Sequence, residues 1–385
     1  MFVILFLIVL SALVLVHEWG HFIAARMFGV KVDEFGYGFP PRLFGFVRVG
    51  HAWKRVKGHD RKSYANTIWS LNWLPLGGFV RLKGEQSETM DGDSFASRSA
   101  WQRIIILAAG VIMNVLLAIA IFTGGFLIGI PAATDGLPSN AIVSGVHIEI
   151  THIIPDAPAV ASGLVIGDTI EAIDGLAPSN AQEALQAIAA HSALNKPFAI
   201  EIVRHHVLTT VSVTPAYLGV IKRPGVGVGL TDVATVRFNP LDAITQAFTV
   251  TMHYAAIIVR TLWSLLSDLI TAHHLSGDVS GPIGIAVATG DIARQGTWPL
   301  LQFVALLSIN LAIINFLPIP ALDGGRALFI VIEALRRKRN NPHVENALHH
   351  IGFVTLLILV ILVTVHDLGQ YGGMMVHGVT SFFNL

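Results

Sequence analysis

Three polar side chains interrupt an apolar stretch near the start of the chain. His17, Glu18 and His21 lie in the segment LVLVHEWGHFIAA. On a helix, residues four positions apart project from one face, so the two imidazoles could bind one zinc ion. Glu18, about 100° round the helix, could act as a general base toward water. The spacing predicts a metal-dependent hydrolytic site, and the alternative is a histidine pair that only hydrogen-bonds to neighbouring helices.

A catalytic zinc ion takes three protein ligands and keeps one position open, so a third ligand is needed. Asp323 in INFLPIPALDGG is the candidate. Pro318 and Pro320 break an apolar run there, which is tolerated at membrane depth only where the backbone is covered by protein or lines water. Asp323 could instead serve only as a helix N-cap. Asn315 could donate to an oxyanion or to the attacking water, and an interhelical hydrogen bond explains it equally well.

Composition indicates a membrane protein. Of 385 residues, 53% are hydrophobic and 13% are charged, against roughly 45–50% apolar and 25% charged in soluble domains. The formal net charge is zero, so charge gives no argument for a nucleic-acid partner. The chain has no cysteine, which excludes a disulfide framework, a thiolate metal ligand and a thiol nucleophile.

Four apolar runs are long enough to cross a bilayer, which takes about 20 residues. They cover residues 2–27, 104–130, 300–335 and 351–365. A fifth run, 239–270, carries Asp242, Arg260 and Asp268 at intervals too short for a spanning helix, and we predict an interfacial amphipathic helix.

Basic residues predict the topology. The loop 29–103 and the run Arg336 to Arg339 are rich in arginine and lysine, which places both in the cytoplasm and puts the two termini and the region 131–299 outside. Four parts of the chain follow: 1–130 with the first two spans, a small α/β domain at 140–216, a linker and amphipathic helix at 217–299, and 300–385 with the last two spans.

Together these motifs resemble the site-2 protease family of intramembrane zinc metalloproteases, in its bacterial RseP-like branch with a single PDZ domain. The resemblance is carried by HEWGH, by NFLPIPALDGG and by further signatures along almost the whole chain: FGYGFPPRLFGF, WLPLGGFVRLKGE, AAGVIMNVLLA and LSGDVSGPIGIA. It implies that His17, His21 and Asp323 bind Zn²⁺, that Glu18 is the general base, and that Asn315 positions the scissile peptide or the intermediate. Asn114 is given a role in packing or gating.

The resemblance also implies a fold and a partner. The fold is a polytopic α-helical membrane protein with four transmembrane helices, a membrane-associated β-hairpin at 63–83 and one inserted extracytoplasmic α/β PDZ domain at 140–216. The hairpin would pair with a substrate strand, and the PDZ domain would restrict access. The implied partners are the bilayer of a bacterial plasma membrane and single-span membrane proteins, such as anti-sigma factors or remnant signal peptides, cleaved near the cytoplasmic face.

One alternative function stays open at this point. A membrane zinc or ion transporter also uses broken helices with intramembrane histidine and aspartate, although it has no evident need for Glu18 or an outer domain. The remaining histidine pairs, 205–206, 273–274 and 349–350, lie in polar contexts, and we interpret them as solvated loop histidines and not as second metal sites.

Overall fold

The computed structural model describes residues 2–58, 60, 62–85, 90–204, 206–220, 222–271 and 281–383. The helices in these ranges are α1 Phe2–Met27, α2 Ala100–Ile128, α3 Pro158–Ala161, α4 Ala181–Ala193, α5 Pro240–Thr271, α6 Pro282–Gln295, α7 Thr297–Phe316, α8 Asp323–Arg336 and α9 Pro342–Phe383. The strands are β1 Val32–Val49, β2 Ala52–Lys57, β3 Ile68–Leu82, β4 Ile130–Ala133, β5 Ile142–Ile153, β6 Thr169–Ile173, β7 Phe198–Arg204, β8 Val207–Val213, β9 Ala216–Leu218, β10 Arg223–Gly225 and β11 Val228–Arg237.

Among the described residues, four helices are long and apolar enough to cross a bilayer, as the sequence predicts. They are Phe2–Met27, Ala100–Ile128, Thr297–Phe316 and His343–Gly369. Their exposed side chains are largely apolar, which suits a lipid solvent. Helix α5 is continuous and, at 32 residues, long enough to cross a bilayer, but it is not among the helices that are also apolar enough.

The chain divides into two compact units, of which the first comprises Met1–Phe122 and Gln246–Leu385. In this unit the end of α1 packs against α2 and α8 through buried residues that include Ala25, Ile106 and Ile330. Gly20, between the two histidines of α1, faces the Ala109 carbonyl of α2 so closely that a Cβ atom would collide with it. The first two spanning helices therefore approach each other closely beside the histidine pair.

The third predicted span is broken where the prolines predict a break. Helix α7 ends at Phe316 and α8 begins at Asp323. The six residues between them form a non-helical turn, in which the Ile319 N–H donates to the Leu317 carbonyl at 2.7 Å. Asp323 consequently lies in the first turn of α8.

A sheet with the strand order β2-β1-β3 lies in the same unit. The prediction of a β-hairpin within 63–83 needs revision, because this stretch forms one long strand whose two halves both pair with β1. In the first half, Trp69 pairs with both Phe46 and Phe35, and in the second half Val80 also pairs with Phe35. Strand β1 supplies both partners because it bends between them, with register shifts on either side of the Pro40–Pro41 pair. Such distant pairing leaves no local turn signal in the sequence.

The second unit covers Thr123–Thr245. Its main sheet has the strand order β4-β11-β5-β6-β7-β8. Isoleucines of β5, β6 and β7 are buried together with Ala184 and Ile188 of α4, so one helix covers one face of the sheet. This sheet is larger than the predicted domain 140–216, because β11 lies in the stretch predicted as a linker. In this stretch Val228 and Leu230 pair with Ile153 and Ile150 of β5.

Candidate active site

Helix α1 presents the two predicted histidines on one buried face. His17 and His21 are 5% and 7% exposed, and their Nε2 atoms lie 3.1 Å apart. One helical turn separates the two residues, so their side chains lie one above the other along the helix axis and can converge on one point. Lipid cannot hydrate such groups, and their burial is tolerated only with polar partners or a bound cation.

Asp323 meets this pair from the other end of the chain. Its Oδ2 atom lies 2.9 Å from His17 Nε2 and 3.2 Å from His21 Nε2. Ligand atoms bound tetrahedrally to zinc at about 2.0–2.1 Å stand about 3.3 Å from one another. Two imidazole nitrogens and one carboxylate oxygen form a donor set that zinc accepts, and the spacing of these three atoms is close to that of a tetrahedral face.

The tautomer of His21 suits metal binding. Its Nδ1 atom lies 2.8 Å from the Ile106 carbonyl oxygen on α2. A carbonyl can only accept a hydrogen bond, so Nδ1 carries the proton and donates it. The Nε2 lone pair is then free to face the other two ligand atoms. A hydrogen bond of this kind fixes the orientation and the basicity of a metal-binding imidazole.

Asn114 is a site residue to which the sequence assigned only packing or gating. Its side-chain amide lies 3.4 Å from His17 Nδ1, and its Oδ1 atom is buried with no hydrogen-bond partner among the described residues. A half-turn of this amide would bring the oxygen to His17 Nδ1–H as an acceptor. Ser308 of α7 donates to the Asn114 backbone carbonyl at 2.8 Å, so the residue also joins α2 to α7.

Gly110 gives the histidine pair its space. A Cβ atom at this position of α2 would lie 2.5 Å from His21 Nε2 and 2.7 Å from His17 Nε2. No side chain larger than hydrogen fits beside these two ligand atoms. The AAGVIMN segment therefore contributes two things to the site: an amide partner for His17 and a gap for both imidazoles.

Glycines also bring the α8 backbone close to the preceding turn. Added Cβ atoms at Gly324 and Gly325 would collide with backbone carbonyls, that of Phe316 for the former and that of Ile319 for the latter. The chain can fold back on itself at this point only because both positions lack side chains. This fold-back sets the position of Asp323 at the start of α8.

A cavity of about 780 Å³ opens on the three candidate ligand residues. Glu18 and Asn315 line it together with the ligands, so the five predicted site residues share one cavity. The Asn315 side-chain nitrogen lies 3.5 Å from His17 Nε2. Residues 78–82 of β3 form another part of the wall. The arrangement places a carboxylate, an amide and a strand beside a metal-binding set, which suits hydrolysis of an extended peptide.

Part of the chain is similar to solved structures of PDZ domains. The PDZ domain of an SdrC-like protein from Listeria monocytogenes is 24% identical, with a TM-score of 0.21, and the match covers 23% of this chain and 92% of that chain. The corresponding domain from Listeria innocua is 23% identical, with a TM-score of 0.20, and the match covers 22% of this chain and 92% of that chain.

Relatives match over almost the whole chain. A Clostridium perfringens protein, provisionally named a zinc metalloprotease, is 34% identical over 96% of this chain and 98% of its own. The zinc metalloprotease RasP of Geobacillus kaustophilus is 30% identical over 96% and 98% of the two chains. The regulator of sigma-W protease RasP of Bacillus subtilis is 28% identical over 95% and 98%. The model of peptidase family M50 matches residues 5–56 and 59–359. The chain therefore belongs to peptidase family M50, the site-2 protease family, and is an intramembrane zinc metalloprotease.

Proposed function

We propose that this protease hydrolyses peptide bonds within or next to the transmembrane segment of single-span membrane proteins. The observation that supports this most directly is the convergence of His17, His21 and Asp323 beside Glu18, in a cavity between apolar helices. A site at this depth is reached more easily by a segment that already lies in the membrane than by a soluble peptide.

The residues divide the chemistry among them. His17, His21 and Asp323 would hold the zinc ion, which would polarise the scissile carbonyl and acidify water. Glu18 accepts a proton from the attacking water and returns it to the leaving amine. The Asn315 amide donates to the oxygen on which negative charge develops.

Strand β3 offers the substrate a partner. A helical substrate hides its peptide bonds in its own hydrogen bonds, so it must be opened before water can attack. Residues 78–82 pair with β1 on one side and line the cavity on the other, and β3 lies at the end of the sheet order. A substrate segment that adds to this edge as a further strand would exchange its helical hydrogen bonds for hydrogen bonds to β3.

We infer the substrate class from a relative and the membrane orientation from the charges of the loops. The name of the Bacillus subtilis relative refers to regulation of sigma-W, and we infer that anti-sigma factors or remnant signal peptides are substrates here. Loop charge supports a bacterial plasma membrane with the site near the cytoplasmic face and both termini outside. The domain at 140–216, which we interpret as a PDZ domain, would then act outside as a filter against uncut ectodomains.

Cleavage by the purified full-length protein in proteoliposomes tests this function. The substrate is a model single-span protein, and the variants are Glu18→Gln and Asp323→Asn, with Glu171→Gln as an exposed control on β6. We expect Glu18→Gln to keep its zinc and lose cleavage about 10²–10⁴-fold, and Asp323→Asn to lose zinc as well. Undiminished cleavage by Glu18→Gln would remove its role as base, and full zinc content in Asp323→Asn would remove that ligand.

A further inference from the structure

The turn between α7 and α8 holds an unusual backbone conformation next to the metal site. Ala321 has φ +81°, although it is not glycine. Residues with a side chain rarely adopt positive φ, and they keep it only where surrounding contacts impose it. Asp323 follows two positions later. Whatever holds Ala321 in place therefore also affects where the Asp323 carboxylate lies.

His349 on α9 makes a hydrogen bond to this residue. The Ala321 N–H donates to His349 Nδ1 at 2.9 Å. A backbone N–H can only donate, so Nδ1 is unprotonated and the ring proton is on Nε2. His349 Nε2 is buried without a hydrogen-bond partner among the described residues. One nitrogen of the imidazole therefore accepts the hydrogen bond from the turn. The other nitrogen is left buried without a partner among the described residues, which is unfavourable.

The part of α9 around His349 contacts the chain both before and after Asp323. One turn after His349, a Cβ atom at Gly352 would collide with the Pro320 carbonyl. The His349 ring also lies 5.3 Å from the Phe329 ring of α8. His349 thus contacts the chain before Asp323 through Ala321 and after it through Phe329.

We propose that His349 is a positioning residue for Asp323: by accepting the Ala321 N–H, it holds the turn in the conformation that aims the carboxylate at His17 and His21. This inference rests on the proposed role of Asp323 as a zinc ligand. It replaces the interpretation of His349 as a solvated loop histidine, since the residue lies in α9 and is partly buried.

His350 is a natural control. It is exposed, and its Nδ1 atom bonds to the Asn346 carbonyl of the same helix at 2.7 Å. It has the same chemistry as its neighbour and lies at the same depth of α9. Of the other histidines of the three predicted pairs, 205, 273 and 274 lie outside the described residues, and His206 is exposed in the turn between β7 and β8.

The test uses substitutions that differ in where they place an acceptor. His349→Asn can put an amide oxygen close to the position of Nδ1, His349→Gln puts it near Nε2, and His349→Leu has none. The full-length protein is loaded with zinc and titrated with a chelator, and cleavage of the single-span substrate is followed in parallel. Loss of an outer partner of a metal ligand typically costs 10–100-fold in metal affinity or activity.

We expect His349→Leu and His349→Gln to release zinc at about 10–100-fold lower chelator concentration, with a matching fall in kcat and little change in KM. His349→Asn and His350→Leu should stay close to the wild-type protein. Wild-type zinc retention in His349→Leu would overturn the proposal. Equal losses in the Asn and Gln variants would also overturn it, because a general packing defect does not depend on the acceptor position.

A suppressor keeps the proposal testable if His349→Leu folds poorly. Ala321→Gly accepts positive φ without help, so it should restore zinc retention in the double variant; no recovery would count against the mechanism. Asp323→Asn, measured alongside, separates the two proposals. If Asp323→Asn loses zinc and His349→Leu does not, only the role of His349 fails. If Asp323→Asn keeps its zinc, the ligand assignment itself fails.

Discussion

The Arg326 guanidinium forms an ion pair with the Glu85 carboxylate, and the pair joins α8 to the turn that follows β3. Both residues line the cavity that contains His17, His21 and Asp323. The pair therefore ties the helix that carries Asp323 to the strand that we propose as the substrate partner. Their side chains are only partly exposed, so solvent screens the attraction less than it would on an open surface.

Breaking this link should affect substrate binding more than zinc binding. Glu85→Gln keeps the shape of the side chain and removes its charge, so we expect KM to rise several-fold while zinc content stays unchanged. The free energy of unfolding should fall by about 1.5–3 kcal/mol, as for other hydrogen bonds to charged groups. Asp291→Asn breaks an exposed ion pair with Arg294 and should leave stability within about 1 kcal/mol. Zinc loss in Glu85→Gln would contradict the assignment.

The gap at Gly110 predicts a strong effect of one methyl group. Gly110→Ala would place a Cβ atom against the imidazoles of both proposed zinc ligands, His17 and His21, so we expect loss of zinc and of cleavage together. Gly124→Ala lies on the same helix with nothing within 4 Å of an added Cβ, and it should be neutral. Metal analysis of the two purified variants is sufficient, and equal zinc content in both would show that the imidazoles can move aside.

Asn114 should act on zinc through His17. Asn114→Ala removes the amide beside His17 Nδ1, and we expect a 10–100-fold weaker hold on zinc. Asn114→Asp supplies an acceptor for the Nδ1–H and should retain more zinc than the alanine variant. Competition with a chromogenic chelator measures both. The assignment is wrong if the aspartate variant loses as much zinc as the alanine variant while both remain folded.

The Glu34–Arg42 pair predicts how acid affects the β2-β1-β3 sheet. Burial alone would raise the pKa of Glu34, yet hydrogen bonds from the Arg42 guanidinium hold that pKa below its usual range. A carboxyl group with a lowered folded pKa adds stability above its unfolded pKa, about 4.5, and loses it as pH falls through the folded value. The native sheet should therefore be destabilised progressively below that pH.

Arg42→Met tests this pH dependence. The variant removes the hydrogen bonds that Arg42 donates to this buried carboxylate and leaves the Arg81 guanidinium, 3.4 Å away, as its ion-pair partner. At pH 7 it should therefore be less stable by about 1.5–3 kcal/mol. The difference from the wild-type protein should shrink as the pH falls below about 4.5. Arg48→Met, at an exposed position of the same strand, serves as the control. Chemical unfolding across the pH series checks the prediction, which fails if the difference is independent of pH.

Local patterns in the sequence explain what could be predicted about the site. His17 and His21 follow from helical periodicity, and Asp323 follows from prolines that break an apolar run. Membership of a peptidase family excludes the transporter alternative. Asn114 and His349 had no such signal, because their partners, His17 and Ala321, lie on other helices or turns.

The same reasoning separates the predicted and unpredicted parts of the fold. Four spanning helices follow from run length and hydropathy. The pairing of β3 with β1 and of β11 with β5 depends on contacts between segments distant in sequence, which no short pattern records. Residues 275–280 of the LSGDVSGPIGIA motif lie outside the described residues, and α6 begins at Pro282.

The first and last segments of the second unit lie next to each other. Strands β4 and β11 pair, with Ile130 opposite Val236, and the Phe238 N–H donates to the Phe126 carbonyl at 3.0 Å. The backbone therefore enters and leaves this unit at neighbouring positions, as is common for a domain inserted into another one. Evolution or protein engineering could exchange, duplicate or delete such an inserted domain at this one point of the chain, without changing the length of either flanking helix.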